Sequence, residues 1–499
     1  MNLTLDLERA RAQIEAYARE YGLDFFPTVF ELIDNKELNE IAAYGGFPTR
    51  YPHWRFGMEY DRLQKGYSYG LSKIYELVIN NNPCYAYLMK SNSLVDQKLV
   101  IAHVYGHCDF FKNNVYFEHT DRKMMDRMAN HGTIIRQEVE RVGLSLVEEF
   151  LDRCLALDNL IDLHAPAMIR SQPSKPEDDS ARRSIPRLPA KAYMDRFINP
   201  SEYLKAEERK QVDAVHRAQR FPPTPQRDVL KFLLDHAPLK RWQQQILSLV
   251  REEAYYFAPQ AQTKIMNEGW ASYWHSTMMT QRVLKDSEVI DFADHHAGTL
   301  ASMPGRLNPY KLGIELMRDI ELRWNQGRYG KDWENCDHYE QRKRWDLKLG
   351  QGRKKIFEVR QVYCDVTFID TFLHQEFCDA QKFYVYRTNP RTGRPEIASR
   401  DHQLVKEQIL WGISNMGQPL IEVTDGNSNN RGELYLSHRF EGLELDLAQA
   451  AETLRSLEVL WGRPIHLESK VDDKGMLISC VKGEISSNEI KPSGTTQRT

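Results

Sequence analysis

The stretch IAHVYGHCDFFKNN, residues 101–114, decides how the first half of this chain is read. It is almost wholly apolar, and it holds His103 and His107 four residues apart. Ser93-Leu94-Val95-Asp96, just upstream, has the form of a capping box, so a helix is predicted to begin there. Side chains at i and i+4 share a helix face, so both imidazoles point the same way. Histidines paired at that spacing are half of a metal-ligand set. Alone the pair is a weak signal, because an apolar helix also buries histidines satisfied by ordinary hydrogen bonds.

Upstream, the runs YELVI (75–79) and CYAYLM (84–89) are β-type and flank the turn Asn80-Asn81-Asn82-Pro83. A hairpin leading into a buried helix with paired histidines is the order found in zincin-type metal sites. Residues 45–62, GGFPTRYPHWRFGMEYDR, are rich in Gly, Pro and aromatics, and a structured loop is expected. Arg50, His53 and Arg55 make it a candidate pocket wall, although aromatic packing alone also explains it. Residues 3–44 read as two amphipathic helices broken near Gly22.

Downstream, residues 133–163 have the pattern of one long helix, with Glu138 beside its apolar face; His119 lies in the segment before it. Residues 165–195 are rich in Pro, Ser and charge and read as a flexible linker. Pro259 is predicted to open a helix over 259–284 that contains NEGWASYWH. Glu268, Ser272 and His275 fall there at i, i+4 and i+7, on one face, among Ile265, Met266, Trp270, Tyr273, Trp274 and Met278. A carboxylate in such surroundings needs a counter-charge or a cation. Either Lys264 or Arg251 pairs with Glu268, or Glu268 joins His103 and His107 in a His2Glu set with an open position. Gly269 costs helix stability and predicts a close backbone approach. In DFADHH (291–296) at most one of the adjacent histidines faces the site.

The expected fold class is a mainly α N-terminal region with a small β-hairpin in a zincin-like arrangement, followed by an α+β C-terminal domain. The boundaries are 1–164 and 196–350 for the two halves of the helical domain, with the linker between them. The α+β domain takes 351–485, and 486–499 is expected to be a disordered tail. The segment 425–432 reads as a hairpin turn, since calcium-loop spacing is missing.

Hydrophobic content is 41 %, charged content 27 % and formal charge -3, which gives no reason to expect nucleic acid or an anionic membrane as partner. No apolar run has the length of a membrane span, and the N-terminus lacks a signal-peptide core, so a cytoplasmic location is expected. The 7 cysteines are scattered without a C-x-x-C, which fits reduced thiols and excludes a Cys-rich zinc ribbon. No P-loop, Rossmann glycine fingerprint or G-x-S-x-G is present.

Several blocks resemble the stage V sporulation protein R (SpoVR) family. They are GGFPTRYPHWRFGMEYDRL, VIAHVYGHCDFFKNN, FAPQAQTKIMNEGWASYWH, GELYLSHRFEGLELDL and LWGRPIHLE, and they run through nearly the whole chain. The resemblance implies a bacterial cytoplasmic protein linked to formation of the spore cortex, a peptidoglycan layer, or to a stress response in bacteria that do not sporulate. It further implies company with a PrkA-type serine kinase and a von Willebrand-type protein. It supplies no established reaction.

Two functions compete on the residues themselves. One is a metal-dependent hydrolase in which His103, His107 and Glu268 hold zinc or another divalent metal. Val104 stands where an H-E-x-x-H enzyme has its general base, so Glu138, His119 or His275 must replace it, with Arg50, His53, Arg55 and Ser272 lining the pocket. The other is a non-catalytic regulator or scaffold whose C-terminal domain docks partners. A di-metal carboxylate site ranks last, because the paired Glu-x-x-His motifs it needs are absent.

Overall fold

The computed structural model describes residues 3–68, 76–168, 188–191, 193–209, 221–301 and 305–490. The chain divides into two compact units, Met1–Val147 with Tyr255–Gly417, and Glu148–Ala254 with Gln418–Thr499.

The first unit is mainly α with a small sheet, as its sequence predicts. The helix Leu94–Asn113, here the histidine helix, opens on the expected capping box: Ser93 Oγ accepts from the Asp96 N–H at 3.2 Å and Asp96 accepts from the Ser93 N–H. It is buried on every side from Val100 to Phe111, as an all-round apolar helix must be. The hairpin strands β2 (Glu76–Ile79) and β3 (Cys84–Met89) pair antiparallel. A third strand, β1 (Thr28–Ile33), pairs parallel with β3, so the sheet order is β1-β3-β2. β1 lies where a second helix was expected to follow directly on the first; the helices there are Leu5–Glu20 and Asn35–Ala43.

Three further helix boundaries differ from expectation. The loop 45–62 gives way to a helix at Trp54–Ser68, which begins two residues after Pro52. The single helix over 133–163 is two, Met124–Val142 and Leu144–Leu155, because Gly143 adopts φ +104° between them. Pro259 lies inside the helix Arg241–Gln262, and the next helix, the glutamate helix Lys264–Met278, starts after Thr263.

The expected domain boundary at 351 is displaced to 417/418. The reason is apolar burial: Ile356, Val359, Phe368 and Ile369 share one core with Ile101, Tyr105, Trp270 and Trp274. The chain also enters the second unit twice. Residues 226 and 423 exchange backbone hydrogen bonds, and Phe232 stacks on Trp461 at 5.7 Å.

The second unit carries a five-stranded sheet. The hairpin β4 (Val385–Thr388) and β5 (Pro395–Ser399) belongs to the first unit. Beyond it come β6 (Ile421–Ser428), β7 (Glu433–His438), β8 (Ile465–Val471), β9 (Lys474–Val481) and β10 (Glu484–Ile490), in the order β10-β9-β8-β7-β6. Only β7 and β8 are parallel, and the helix Leu447–Trp461 connects them. That helix packs on β8 and β9, over the buried face made by Leu434, Leu436, Ile465, Leu467, Ile478 and Cys480. The tail expected to be disordered from 486 continues as β10 to Ile490, paired with β9; the rest of it, and most of the linker 165–195, lie outside the described residues. All 7 cysteines are free thiols, and six are buried. Among the described residues no helix is long and apolar enough to cross a membrane.

Candidate metal centre

Glycine sets how closely the helices that carry the site approach. A Cβ on Gly106 would lie 2.7 Å from the Ala271 Cα, and one on Gly269 would lie 2.4 Å from the backbone of Gly313, on the helix Pro309–Gln326. The close approach expected at Gly269 is therefore real. Gly106 precedes His107 and Gly269 follows Glu268, so the tightest backbone contacts sit beside the polar groups.

The glutamate helix is held at its start from a distance. Thr263 makes no side-chain cap; instead the Ile265 and Met266 N–H groups donate to the Asp365 carboxylate at 2.7 and 2.9 Å. Burial pushes Asp365 up to about 7, against the two amide bonds that favour its ionised form. Asp109, one turn beyond Tyr105, accepts from Trp270 Nε1 at 2.8 Å and ties the two helices together. Burial pushes it up to about 6, with Arg360 opposing.

Four donor atoms converge in this seam. Glu268 Oε2 lies 3.5 Å from both His103 Nε2 and His107 Nε2. Glu76 Oε1, at the start of β2, lies 3.3 Å from His103 Nε2 and 3.8 Å from His107 Nε2. The ligand atoms of Glu76, His103 and His107 are all within 4.8 Å of one another. A tetrahedral site with bonds of about 2.1 Å has edges of about 3.4 Å, close to the four carboxylate–imidazole separations. Moreover, His103 Nε2 and Glu268 Oε2, which face each other at 3.5 Å, are buried and without a hydrogen-bond partner. Buried polar atoms aimed at a common point without partners are what a bound cation would satisfy. The donor set thus fits a divalent ion of zinc type.

The surrounding bonds orient the donors. His107 Nδ1 donates to Asn267 Oδ1 at 2.8 Å, which leaves Nε2 facing the carboxylates. His103 Nδ1 is 2.8 Å from His275 Nδ1, and His275 Nε2 is 3.0 Å from His296 Nδ1. Of the adjacent pair, His296 alone turns this way; His295 pairs with Asp96. Burial, then His103, His296 and Arg318, hold His275 well below the usual imidazole range, so it is neutral. Burial would raise Glu268, but His103 and His107 outweigh it and hold the carboxyl well below the usual carboxylate range. Burial would lower His107, but Glu268 and Glu76 outweigh it and raise it. The alternative partner for Glu268 is also present: Lys264 Nζ donates to Oε1 at 3.1 Å while Oε2 faces the imidazoles. Arg251 pairs with Asp228.

The structure brings together His103, His107, Glu268 and His275, with His275 behind His103. Ser272 is fully buried on the same helix face, its Oγ without a hydrogen-bond partner. It does not bring in Glu138, which pairs with Arg141, or His119, which is exposed. Arg50 donates to the Tyr44 carbonyl and lies over Phe56, His53 packs on Trp54 and Phe56, and Arg55 is exposed. Two residues were not anticipated. Glu76 sits in the predicted hairpin, one position past its expected first residue, but no motif marks it. Tyr310 stacks over His103 with centroids 6.1 Å apart, and burial with Glu268 and Glu76 raises its hydroxyl pKa.

Comparison with known proteins places the chain in a family. The model described as SpoVR like protein matches residues 2–418, and that described as SpoVR-like C-terminal domain matches 419–472. The chain belongs to the SpoVR family, and the junction of the two models falls where the chain re-enters the second unit. The Escherichia coli (strain K12) protein named Uncharacterized protein YcgB is 30% identical over 497 residues, covering 93% of this chain and 91% of that one. No solved structure matches.

Proposed function

We propose that this SpoVR-family chain is a divalent-metal hydrolase of amide bonds, with peptide or muropeptide amides as its substrate class. The family's link to the spore cortex, a peptidoglycan layer, favours the muropeptide. His103, His107 and Glu268 hold the ion in this reading. A bound divalent ion supplies Lewis acidity and lowers the pKa of water in its vicinity. The observation that carries the reading is Glu76. Its Oε1 faces both histidines, while its Oε2 is buried without a partner. A carboxylate oxygen there can take the proton that Val104 cannot. Asn267 and His275 keep the two imidazoles in orientation.

One feature favours a second reading. If Glu76 is instead a fourth ligand, the set is His2Glu2 and closed, the form of structural zinc sites. The chain would then act as a regulator alongside a PrkA-type serine kinase and a von Willebrand-type companion, with its metal serving stability.

Metal analysis of the purified protein, its His103→Ala/His107→Ala variant and Glu76→Gln separates the two. A base at Glu76 predicts that Glu76→Gln keeps the metal and loses hydrolysis of a muropeptide panel. A ligand at Glu76 predicts that the metal is lost or weakened and that the wild type hydrolyses nothing. Equal, near-zero metal in wild type and double variant would sink both.

A further inference from the structure

The face of the five-stranded sheet opposite the helix Leu447–Trp461 carries a chain of side chains independent of the metal centre. In register, Tyr435, His466 and Ser479 lie side by side across β7, β8 and β9. Ser479 Oγ is 2.8 Å from His466 Nδ1, and His466 Nε2 is 3.1 Å from Glu433 Oε2. A serine bonded to an imidazole whose other nitrogen meets a carboxylate is the arrangement that activates a hydroxyl. Only one tautomer serves both bonds in the reactive sense: Nε2–H donates to Glu433, and Nδ1 accepts from the serine.

We propose that Ser479, His466 and Glu433 form a second reactive centre, at which Ser479 accepts an acyl or phosphoryl group from an activated donor. The bond from Oγ to the donor carbon or phosphorus forms while the hydroxyl proton passes to His466 Nδ1. The bond to the leaving group breaks, and that group departs with its electron pair. His466 then releases the proton to the leaving group or to water. Glu433 holds the ring and stabilises the imidazolium. No electron transfer is involved.

The sheet also limits the donor. β9 is paired on both sides, with β8 and β10, so the ladder already engages the backbone amides around Ser479. No spare pair of N–H groups is left as an oxyanion hole, so good leaving groups are needed and peptide amides are poor donors. Aryl esters and fluorophosphates are the matching class.

A second serine-histidine pair in the same sheet provides an internal control. His438 Nδ1 is 2.9 Å from Ser469 Oγ, but no described hydrogen bond joins a carboxylate to the other ring nitrogen. Ser479 is itself buried, at 7% exposure, while the side chains of His466 and Glu433 beside it keep 17% and 15%, so a small reagent reaches Oγ over those two side chains.

The test treats the full chain with diisopropyl fluorophosphate and maps the adduct by mass spectrometry. The expected result is one diisopropylphosphorylated serine, Ser479, with Ser469 unmodified. His466→Gln should slow labelling by about 100-fold, the lower end of what a positioned base contributes. Glu433→Gln should slow it less, and Ser469→Ala should leave it unchanged. Absence of an adduct on Ser479 in the wild type overturns the proposal without recourse to any variant. So does a His466→Gln protein with wild-type circular dichroism and an unchanged labelling rate.

Discussion

The helical seam and the sheet face that carries Ser479 each gather histidines and carboxylates, and they treat them in opposite ways. In the seam, His103 Nε2, Glu268 Oε2 and Glu76 Oε2 are buried with no hydrogen-bond partner. On the sheet, Glu433, His466 and Ser479 satisfy one another. A buried polar atom left without a partner costs about 1–3 kcal/mol, and a cation held among these atoms would offset that cost. The sheet trio needs nothing added. The contrast separates donors that fit a cation from a relay whose members bond to one another.

The strongest way to break the contrast is to force the seam apart. Gly269→Ala places a Cβ against the Gly313 backbone, so helices rather than side chains must move. The expected loss is about 3 kcal/mol in urea denaturation, together with loss of metal. An unchanged midpoint would show that the contact is not as tight as described.

Next in size is the ion itself. Zinc held at about 100 times its Kd should stabilise the wild type by ~2.7 kcal/mol and the His103→Ala/His107→Ala variant not at all. Without metal the pair is governed by pH. Glu268, depressed, contributes stability that is present above the ordinary carboxylate pKa and lost as pH falls through its lower folded value. His107, raised, contributes stability that is present below its ordinary pKa and lost as pH rises through its higher folded value. Metal-free protein should therefore melt highest between those limits, and zinc should flatten the alkaline side. A metal-free profile without an alkaline decline would contradict the assigned ion pairing.

Smaller again is Asp365→Ala, which strips the distant cap from the glutamate helix. A cost of about 1–2 kcal/mol is expected, read from thermal denaturation. The least disruptive change falls on the satisfied side. Ser479→Ala should cost about 1 kcal/mol, because one net hydrogen bond is lost. A cost as large as that of Gly269→Ala would place the sheet trio, too, among the tightly constrained elements.

Much of the seam was legible in sequence because helix periodicity is local. His103 with His107, and Glu268 with His275, share faces by arithmetic, and the Gly269 approach follows from a helix-weakening residue in an apolar run. Glu76 was not legible. It reaches the histidines only because β2 pairs with β3 and the chain then turns into the helix, and that geometry leaves no trace in spacing. β1 was missed for a related reason: TVFELI becomes a strand by parallel pairing with a partner some fifty residues away, which local pattern does not encode. The boundary at 351 failed because a change from helical to mixed patterning was taken as a change of domain. Burial of Ile356, Val359 and Phe368 in the first core shows that the two need not coincide.

The backbone contacts at Gly106 and Gly269 act as a gauge. They fix the helix spacing by main-chain atoms, which barely yield, so the gap between the imidazoles and the carboxylates has a set bore. Donor separations of 3.3–3.8 Å suit bonds of about 2.1 Å. Calcium, with bonds of about 2.3–2.6 Å and a preference for six or more oxygens, would have to widen the bore against the glycines. Zinc bound here should resist a large excess of calcium, and widening the gauge with Gly106→Ala should erode that discrimination.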